Sequence, residues 1–426
     1  MNKKSWTVMV YLAGDNNLDS AGVSDLAEMK KVGSTDKINV LAQFDREAKG
    51  SQTRRYYLRK GGVLDSDVVA NLGETNTGDP KVLVDFVKWS VKNYPSDRYL
   101  LVVWNHGNGW DDSDVYGVAR NAVGASITRR GNVVARSADG NGATVSVRRL
   151  RTIGGRNFRR ALFRTSVEAA VQTRGIAYDD NAQDFLDNLE LQRVLLSAKK
   201  IIGRNVDLLG LDACLMSMAE VGYENRVAAD VTVGSEQIEP GDGWPYNTIL
   251  ADLAKKPQMS ARELAATIVK RYIASYAADS EVTQAACDLA QADALAKAVS
   301  NLADALRAGL TNGQTRAGIL EARTQVQSYE TADYVDLQDL CELLEKKCAT
   351  AQPVAGAAKA VRAVIATYVI ASGSKGQSVA HSHGVSIHFP NNPREPLSPL
   401  YAKLDFAKDT TWDDFLKAWL AALQQR

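Results

Sequence analysis

Cys214 and His106 are the two residues of this 426-residue chain whose types and positions could do covalent chemistry. Cys214 follows the apolar run 206–211, and His106 follows the apolar run 99–104. In open parallel sheets, ligands bind at the carboxyl ends of the strands, so both side chains would lie at a ligand-binding edge. A cysteine becomes a strong nucleophile when a nearby base removes the thiol proton. The pattern therefore indicates a cysteine nucleophile with a histidine base.

Both residues also have structural explanations. A lone cysteine at the end of a strand is usually a small buried hydrophobic residue. His106, however, stands in a glycine-rich loop, where Gly107 and Gly109 would let the backbone approach a ligand closely. We also expect Cys214 to lie at the N-terminus of a helix, whose dipole would bias the thiol towards thiolate. The loop and the expected helix favour the functional explanation.

The other histidines and cysteines do not form an obvious metal site. His381, His383 and His388 offer three imidazoles, but no fourth ligand of matching character is apparent. The four cysteines are too few and too scattered for a disulfide framework or a zinc site of paired C-x-x-C type. We therefore predict no metal bound by these residues.

The segment 15–19, DNNLD, begins like the loop of a calcium-binding EF-hand. Ser20 stands where that loop needs glycine, and Leu26 stands where it needs the closing glutamate. An EF-hand is therefore excluded, and we expect Asp15 and Asn16 to form a turn and a helix cap. We predict that no cofactor is required; Ca²⁺ binding stays open, although no recognisable loop indicates it.

Strand and helix patterns alternate through the first part of the chain. Short apolar runs typical of strands occupy 6–12, 38–44, 99–104 and 206–211. Helical periodicity covers 18–31, 81–92 and about 185–201, and we expect a further helix after Cys214. This alternation predicts an α/β fold in which helices cover both faces of a parallel sheet.

Helical periodicity dominates beyond about residue 251. Helices are expected at 261–277, 292–308, 354–371 and 412–423, with strand-like pieces at 283–289 and 385–389. The second strand-like piece is a candidate to join the sheet. The remaining helices would cover one face of the sheet or bind partners.

The net charge of +1 conceals a strongly basic segment at 119–174. It contains twelve arginines, no lysine and only Asp139 and Glu168 as acids, a local charge of +10 that leaves −9 for the rest of the chain. The segment is rich in glycine and lacks a core pattern, so we expect a flexible insert in an acidic body. Arginine-rich loops can bind phosphate backbones, but only Phe158 and Phe163 could stack on bases there. We predict no nucleic-acid partner.

Composition indicates an ordinary globular chain, with 45% hydrophobic and 24% charged residues. No apolar run approaches the roughly 20 residues that cross a bilayer, so we predict no membrane partner. The N-terminal segment has a basic start and a short apolar stretch, but it alternates like a strand and lacks a small-residue cleavage site. We expect no signal peptide in this chain and leave its location open.

Six segments, in this order along the chain, resemble the clostripain family of cysteine peptidases. They are WTVMVYLAGDNNLD, LLVVWNHGNGW, LLGLDACLMSMAEVGYE, SEQIEPGDGWPYNTIL, YVDLQDL and GVSIHFP. The resemblance extends from Trp6 to about Pro390. It implies a caspase-like three-layer α/β/α sandwich with a mostly parallel central sheet, plus a largely helical C-terminal region.

The resemblance also implies a division of the chain. Residues 1–118 would form the first part of the catalytic domain with His106, and 175–250 would form the second part with Cys214. Residues 119–174 would be a flexible activation insert between them. Residues 251–426 would form the helical C-terminal region and add strands to the sheet. Relatives are often secreted.

At the matching positions, the resemblance implies roles for single residues. His106 matches the catalytic histidine and Cys214 the nucleophile, and the backbone N–H groups of Gly107 and Cys214 would form the oxyanion hole. Asp212 matches an acid that pairs with a substrate Arg or Lys in the S1 pocket, and Asp242 is a second candidate. A buried carboxylate is costly unless it is paired, so an open one selects a cation. The structural alternative for Asp212 is a helix N-cap.

Clostripain relatives carry a segment between these histidine and cysteine positions that the enzyme cuts itself. The basic insert 119–174 would present its arginines to the active site at high effective concentration. We expect several cuts, with Arg174 as the final one and further candidates at Arg164, Arg160 and Arg130. The products would be a light chain with His106 and a heavy chain with Cys214. Before cleavage, the insert would occupy the acidic cleft and inhibit the enzyme.

The expected function is thus a cysteine endopeptidase that cleaves peptides and proteins after Arg, with Lys as an additional P1 residue. The alternatives are a catalytically inactive binding protein on a peptidase fold, and a hydrolase with the same dyad acting on another amide or ester. Asp212 discriminates among them, because a buried acid in the pocket would have no purpose without a cationic substrate. We expect a monomer that consists of two chains after processing.

Overall fold

The computed structural model describes residues 3–16, 18–47, 52–111, 182 and 184–424, and the backbone of four short strands between 126 and 179. The expected cleavage sites Arg130, Arg160, Arg164 and Arg174 lie outside the described residues.

The strands of the described chain have the following bounds. They are β1 Lys4–Gly14, β2 Ile38–Arg46, β3 Arg54–Tyr57, β4 Val68–Asn71, β5 Ser96–Trp104, β6 Ser126–Ile127, β7 Val133–Arg136, β8 Gly142–Ala143, β9 Ile176–Asp179, β10 Asp184–Leu186, β11 Val206–Asp212, β12 Ala229–Gly234, β13 Val282–Asp288, β14 Tyr334–Asp336, β15 Val369–Lys375 and β16 Ser386–His388.

The α-helices of the described chain have the following bounds. They are α1 Asp19–Lys30, α2 Pro80–Asn93, α3 Asn188–Ile202, α4 Ala219–Asn225, α5 Tyr246–Lys255, α6 Ala261–Ser275, α7 Ala292–Gly309, α8 Gly313–Gln325, α9 Leu337–Lys347, α10 Gln352–Tyr368, α11 Asp405–Asp409 and α12 Trp412–Gln424. None of the helices described is both long enough and apolar enough to span a membrane.

Nine strands of the described chain form one sheet in the order β15-β13-β12-β11-β5-β1-β2-β3-β4. The five strands from β12 to β2 are parallel to one another. Antiparallel pairs extend the sheet at both edges. The predicted mostly parallel sheet is therefore confirmed, and its parallel centre includes the two strands that precede His106 and Cys214.

Two hydrophobic cores lie on opposite faces of this sheet. Successive residues of a strand face opposite sides, so on β1 Met9 and Tyr11 contribute to one core while Val8 and Val10 contribute to the other. The first core is covered by α2, α3 and most of the C-terminal helices, and the second by α1, α5 and α6. This arrangement is the three-layer α/β/α sandwich that the sequence predicted.

Helix boundaries near the site follow from capping residues. Asp79 accepts a hydrogen bond from Lys81 N at the start of α2, and Pro80 occupies the first turn, where its missing N–H costs nothing. Asp187 and Glu190 form a capping box at the start of α3. Gly203 then ends α3 in a left-handed conformation. These local signals match the helices predicted at 81–92 and 185–201.

The C-terminal region contributes two strands to the sheet, but they are not the strand at 385–389 that the sequence put forward as a candidate to join it. β13 and β15 extend the sheet beyond β12. The expected strand at 385–389 pairs instead with β14 in a separate two-stranded sheet. Helix α10 ends at Tyr368, and the β-branched residues Val369 and Ile370 begin β15 where the sequence predicted continued helix.

Helix α4 connects the C-terminal region to the sheet through buried acids. Glu220 Oε1 accepts hydrogen bonds from His388 N and from the hydroxyl of Tyr401, each at 2.9 Å. Glu224 Oε1 accepts one from Phe406 N at 3.0 Å. Because burial disfavours the charged form, the pKa of Glu220 rises to about 7. The C-terminal helices therefore complete the core beside the strand that leads to Cys214.

Candidate active site

The ends of β5 and β11 bring His106 and Cys214 to the same edge of the sheet. These strands are parallel neighbours, with Trp104 opposite Asp212. His106 follows Trp104 by two residues, and Cys214 follows Asp212 by two residues, so both lie just beyond the same edge of the sheet. His106, Asp212 and Cys214 line one small cavity. The structure thus places together the three residues that the sequence selected for chemistry.

The cavity is formed mainly by three loops that follow parallel strands. Its wall consists of Leu18, Trp104, Asn105, His106, Asp212, Ala213, Cys214, Glu239, Pro240, Gly241 and Gly243. The loop after β12 carries Asp242, which was predicted as a pocket residue, but Glu239 and Pro240 of this loop were not selected from the sequence. Its strand, β12, was not recognised in the sequence either.

The loop around His106 approaches the nucleophile so closely that Gly107 cannot be another residue without rearrangement. A Cβ atom at Gly107 would lie 2.6 Å from the carbonyl oxygen of Cys214 and 2.9 Å from Ala213 Cβ. Gly109 has φ +67°, and a Cβ there would lie 2.8 Å from Tyr334 Cε2. The glycines therefore permit close contacts between this loop and neighbouring parts of the protein, while the predicted approach to a ligand stays a prediction.

Cys214 lies in a turn and not at the start of a helix, so the predicted helix-dipole effect is wrong. Helix α4 begins only at Ala219. Between the strand and the helix the chain turns sharply, and Leu215 has φ +62°, a left-handed conformation that is unusual for a branched residue. Such backbone strain is often found at functional sites.

Burial keeps the thiol and the imidazole neutral in the state described. It raises the pKa of Cys214 to about 11, which three backbone N–H groups, those of Glu239, Gly107 and Cys214, only partly oppose. The Glu239 N–H donates to Cys214 Sγ at 3.2 Å. Burial also lowers the pKa of His106 to about 4. Both side chains keep some exposed surface, and the pair rests as thiol and imidazole.

The predicted oxyanion-hole donors face the nucleophile. The N–H groups of Gly107 and Cys214 are close enough to the sulfur to lower its pKa. When the sulfur attacks a carbonyl carbon, the oxyanion would form on the carbonyl oxygen within reach of the same groups, where fixed donors stabilise it. Their role in catalysis stays a prediction.

Asp212 is a buried carboxylate whose function is not that of a helix cap. It is 4% exposed and accepts a hydrogen bond from the hydroxyl of Tyr246 at 2.7 Å. Burial raises its pKa to about 6. The N-cap of α4 is Met218, with no side-chain cap, so the structural alternative for Asp212 is wrong.

Two further buried acids accompany Asp212, and the sequence analysis missed both. Glu239 lines the cavity, and burial and Asp212 raise its pKa strongly. Asp25 lies on the buried face of α1, and its pKa is raised by burial and then by Asp212. A Cβ at Gly243 would lie 3.5 Å from Asp212 Oδ1 and 3.7 Å from Asp25 Oδ2, so both carboxyls approach this glycine.

Asp242 lies on the exposed turn Pro240–Gly243, next to this acidic cluster. It is close enough to Asp25 to contribute to raising the pKa of that residue. It does not belong to the cavity wall of the described chain. Its assignment to the S1 pocket stays a prediction.

The three C-terminal histidines do not converge on one point. His383 Nδ1 lies 3.0 Å from Asp336 Oδ1, which raises the pKa of His383. The side chain of His381 is exposed, and His388 is buried against Trp110. Each histidine therefore has separate surroundings.

The carboxylates of Asp15, Asp45 and Glu74 have oxygen atoms within 4.8 Å of one another. Among the described residues this is the set with the spacing of metal ligands, and its oxygen atoms would suit Ca²⁺ or Mg²⁺ better than zinc. Asn16 forms the expected turn by accepting a hydrogen bond from Leu18 N at 2.9 Å. The expected side-chain helix cap is absent from α1, which has Leu18 at its N-cap.

A mostly parallel sheet between two helical layers, with a cysteine and a histidine at adjacent strand ends, defines a caspase-like fold with the groups of a cysteine hydrolase. The sequence profile of the clostripain family, Peptidase C11, matches residues 10–125 and 164–419, and the chain belongs to that family. Residues 126–163 of the basic insert fall between the two matched parts.

Known members of the family resemble the chain at low sequence identity. Clostripain from Hathewaya histolytica is 25% identical over 403 residues, which cover 80% of this chain but only 65% of that protein. A secreted C11 cysteine protease from Bacteroides thetaiotaomicron, solved with an irreversible peptide inhibitor, superposes with a TM-score of 0.63 at 21% identity, covering 96% of this chain and 99% of that one. An inactive zymogen C11 protease from Parabacteroides distasonis gives a TM-score of 0.61 at 19% identity with the same coverages. These structures confirm the fold.

Proposed function

We propose that the protein is a cysteine endopeptidase that cleaves peptide bonds after Arg, and less readily after Lys, with Cys214 as nucleophile and His106 as base. The observation that carries the proposal is the shared cavity, in which a thiol, an imidazole and buried carboxyl groups adjoin one another. A thiol and imidazole alone would suit many acyl transfers. The acids beside them define a cationic substrate.

The chemistry proceeds from the neutral pair. His106 accepts the thiol proton as the sulfur attacks the carbonyl carbon, and the π electrons of that bond move to its oxygen. The N–H groups of Gly107 and Cys214 stabilise the oxyanion. His106 then gives the proton to the departing amine, which leaves an acyl group on Cys214. Water, deprotonated by His106, releases the product acid and restores the thiol without a cofactor.

Substrate selection depends on charge that the described chain leaves uncompensated. No salt bridge of the described residues joins Asp25, Asp212 or Glu239 to a Lys or Arg side chain. A cationic P1 side chain would supply the missing positive charge in a site with little water, where the attraction is strong. Peptides or proteins with Arg or Lys at P1 are the expected substrates.

Activation would follow cleavage within residues 119–174. This segment joins the part with His106 to the part with Cys214, and the family includes a protein solved as an inactive zymogen. The two parts share the strand pair β5 and β11, so a cut between them would leave the sheet intact. We expect a two-chain monomer with the final cut at Arg174.

The test compares the wild type with Cys214→Ala by intact mass, followed by assays on matched Arg, Lys and neutral peptide amides. We expect only the wild type to split at Arg within 119–174 and then to cleave the Arg amide. Asp212→Asn should reduce cleavage of the Arg amide by about 100-fold or more, the cost of losing a buried charge partner. Equal rates on neutral amides would contradict the specificity. Complete inactivity with added trypsin and Ca²⁺ would favour a binding protein instead.

A further inference from the structure

Glu239 is a second carboxyl group in the cavity that contains Asp212. It precedes Pro240 in the loop after β12 and forms part of the wall beside Asp212 and Cys214. The residue is 7% exposed. Because its backbone N–H donates to Cys214 Sγ at 3.2 Å, its position is fixed next to the nucleophile.

The two carboxyl oxygens of Glu239 differ in their contacts. Oε1 accepts a hydrogen bond from Gln284 Nε2 at 3.2 Å. Oε2 is buried and accepts no hydrogen bond from a fixed N–H or O–H donor of the described residues, and the hydrogen bond between the carboxyl groups of Glu239 and Asp212 exists only while one of them holds a proton. A buried carboxyl oxygen without a donor is destabilising, and such atoms in native proteins usually have a functional reason. In the wall of a substrate cavity, the missing donor is best supplied by a ligand.

The groups that face the carboxyl groups of Asp212 and Glu239 include no positively charged hydrogen-bond donor among the described residues. Several helices and loops contribute titratable groups that interact electrostatically with Asp212, with Glu239 or with their direct neighbours. These groups are Asp25, Cys214, Asp242, Tyr246, Tyr272 and Tyr276. His106 lines the same cavity and is neutral through burial. Within the described chain, acids, phenols and a thiol therefore surround the pair.

We propose that Glu239 is a second specificity-determining residue of the S1 pocket, where its carboxyl group and that of Asp212 bind the guanidinium group of a P1 arginine together. A guanidinium carries five N–H donors in a planar fork, and one carboxylate satisfies only one edge of it. An ammonium is a compact charge with three donors, for which the second carboxyl adds less. The pair therefore favours Arg over Lys. This inference rests on the proposed function.

The carboxyl pair also predicts a proton release on binding. In the empty pocket, burial raises the pKa of Asp212 to about 6, and burial together with the charge of Asp212 raises the pKa of Glu239 strongly. The pair therefore retains a proton near neutral pH. A bound guanidinium favours the fully ionised pair and expels that proton. Affinity for a cation should consequently increase with pH as long as the empty pair holds the proton.

The experiment uses Glu239→Gln, which preserves the size and the Gln284 contact but removes the charge. Wild type and variant are processed with trypsin, freed of it, and assayed between pH 5.5 and 8 on Arg and Lys peptide amides, with benzamidine as a competitive probe of the pocket. We expect KM for the Arg amide and Ki for benzamidine to increase about 10- to 100-fold, the value of one charge-assisted hydrogen bond. KM for the Lys amide should change less, and kcat should be retained.

Three further measurements make the result specific. Glu330→Gln removes an exposed glutamate and should leave KM, Ki and their pH dependence unchanged. The benzamidine Ki of the wild type should decrease with pH, and this dependence should weaken in Glu239→Gln. Glu239→Asp should restore part of the affinity because it restores the charge. Melting temperatures identify any variant that has lost its fold. If Glu239→Gln is unfolded, the KM and Ki of Glu239→Asp decide whether residue 239 contributes to specificity.

The possible outcomes separate this inference from the function on which it rests. If the wild type prefers Arg and Asp212→Asn abolishes that preference while Glu239→Gln leaves KM and Ki unchanged, Glu239 is not a specificity residue. A decrease in kcat alone would show that Glu239 only positions the loop at Cys214, which also overturns the inference. If the wild type itself shows no preference for cationic amides, the proposed function fails first.

Discussion

Gly107→Ala tests whether the loop after β5 must contact the backbone of the nucleophile. The added methyl group would lie 2.6 Å from the carbonyl oxygen of Cys214, 2.9 Å from Ala213 Cβ and 3.0 Å from Met216 Cγ. Two of these atoms belong to the turn that holds the nucleophile, and none is the end of a long flexible side chain that could move aside. The loop with His106 and the turn with Cys214 would therefore have to separate.

Separation has two measurable costs. Overpacking a tight contact costs about 1–3 kcal/mol of folding stability. Displacing the Gly107 N–H removes one of the two expected oxyanion donors, which is worth about 10²- to 10³-fold in kcat. Because the same shift moves His106 relative to Cys214, we expect the loss of activity to reach at least this range.

The assay measures kcat and KM on an Arg peptide amide after trypsin processing of every variant, together with the melting temperature. Gly356→Ala is the matched control, because a Cβ at Gly356 in α10 meets nothing within 4 Å. It should leave kcat unchanged and stabilise the helix by about 0.5–1 kcal/mol. A Gly107→Ala protein with the kcat and the melting temperature of the wild type would refute the assigned contact between loop and nucleophile.

Other expected outcomes concern titration and processing. Since burial holds the Cys214 thiol neutral, its alkylation by iodoacetamide in the uncleaved protein should accelerate about tenfold per pH unit between pH 7 and 9, with Cys214→Ala as blank; a rate already constant at pH 6 would indicate a thiolate. The pKa of Glu220 is 4.5 in the unfolded chain and about 7 in the folded protein. Its contribution to stability is therefore complete below pH 4.5 and is lost as the pH rises towards 7. Glu220→Gln should thus lessen the decline of unfolding free energy across that window, by about 3 kcal/mol at most, and an unchanged decline would contradict the burial of this acid as a neutral group. Arg174→Gln should move the final cut to another Arg of the insert, as read by intact mass.

The parts of the fold that the sequence predicts are those whose signal is local. The runs 99–104 and 206–211 are almost continuously apolar because both faces of a central parallel strand are buried, and the structure has strands there. β3, Arg54–Tyr57, is an antiparallel strand near the edge with two charged residues in four, and its sequence does not differ from a polar loop. β15 was missed because its first residues continue an apolar helical pattern.

The residues of the site also differ in whether the sequence reveals them. Cys214 and His106 are visible because their types are rare and their positions follow strands. Asp25 is not, because an acid in a helix normally faces solvent, and only the packing of Gly22, Leu26 and Met29 on the same face shows that it is buried. The prediction of a helix starting at Cys214 was wrong because the chain forms a turn there with a positive φ at Leu215, which the residue type alone does not reveal.

Charge connects the cavity with the insert. Asp25, Asp212 and Glu239 lie buried in or beside the cavity, and in the described chain no Lys or Arg forms a salt bridge with them. Burying them without a counterion stabilises neither the fold nor the sheet, because each acid must either hold a proton or remain an unpaired charge. The full chain carries its own counterions, since twelve of its arginines lie in residues 119–174, which join the two halves of the site. An arginine of this insert that entered the cavity would satisfy Asp212 and Glu239 and would at the same time present its own peptide bond to Cys214. The same electrostatic demand therefore explains both why the uncut insert would inhibit and why the enzyme would cut it.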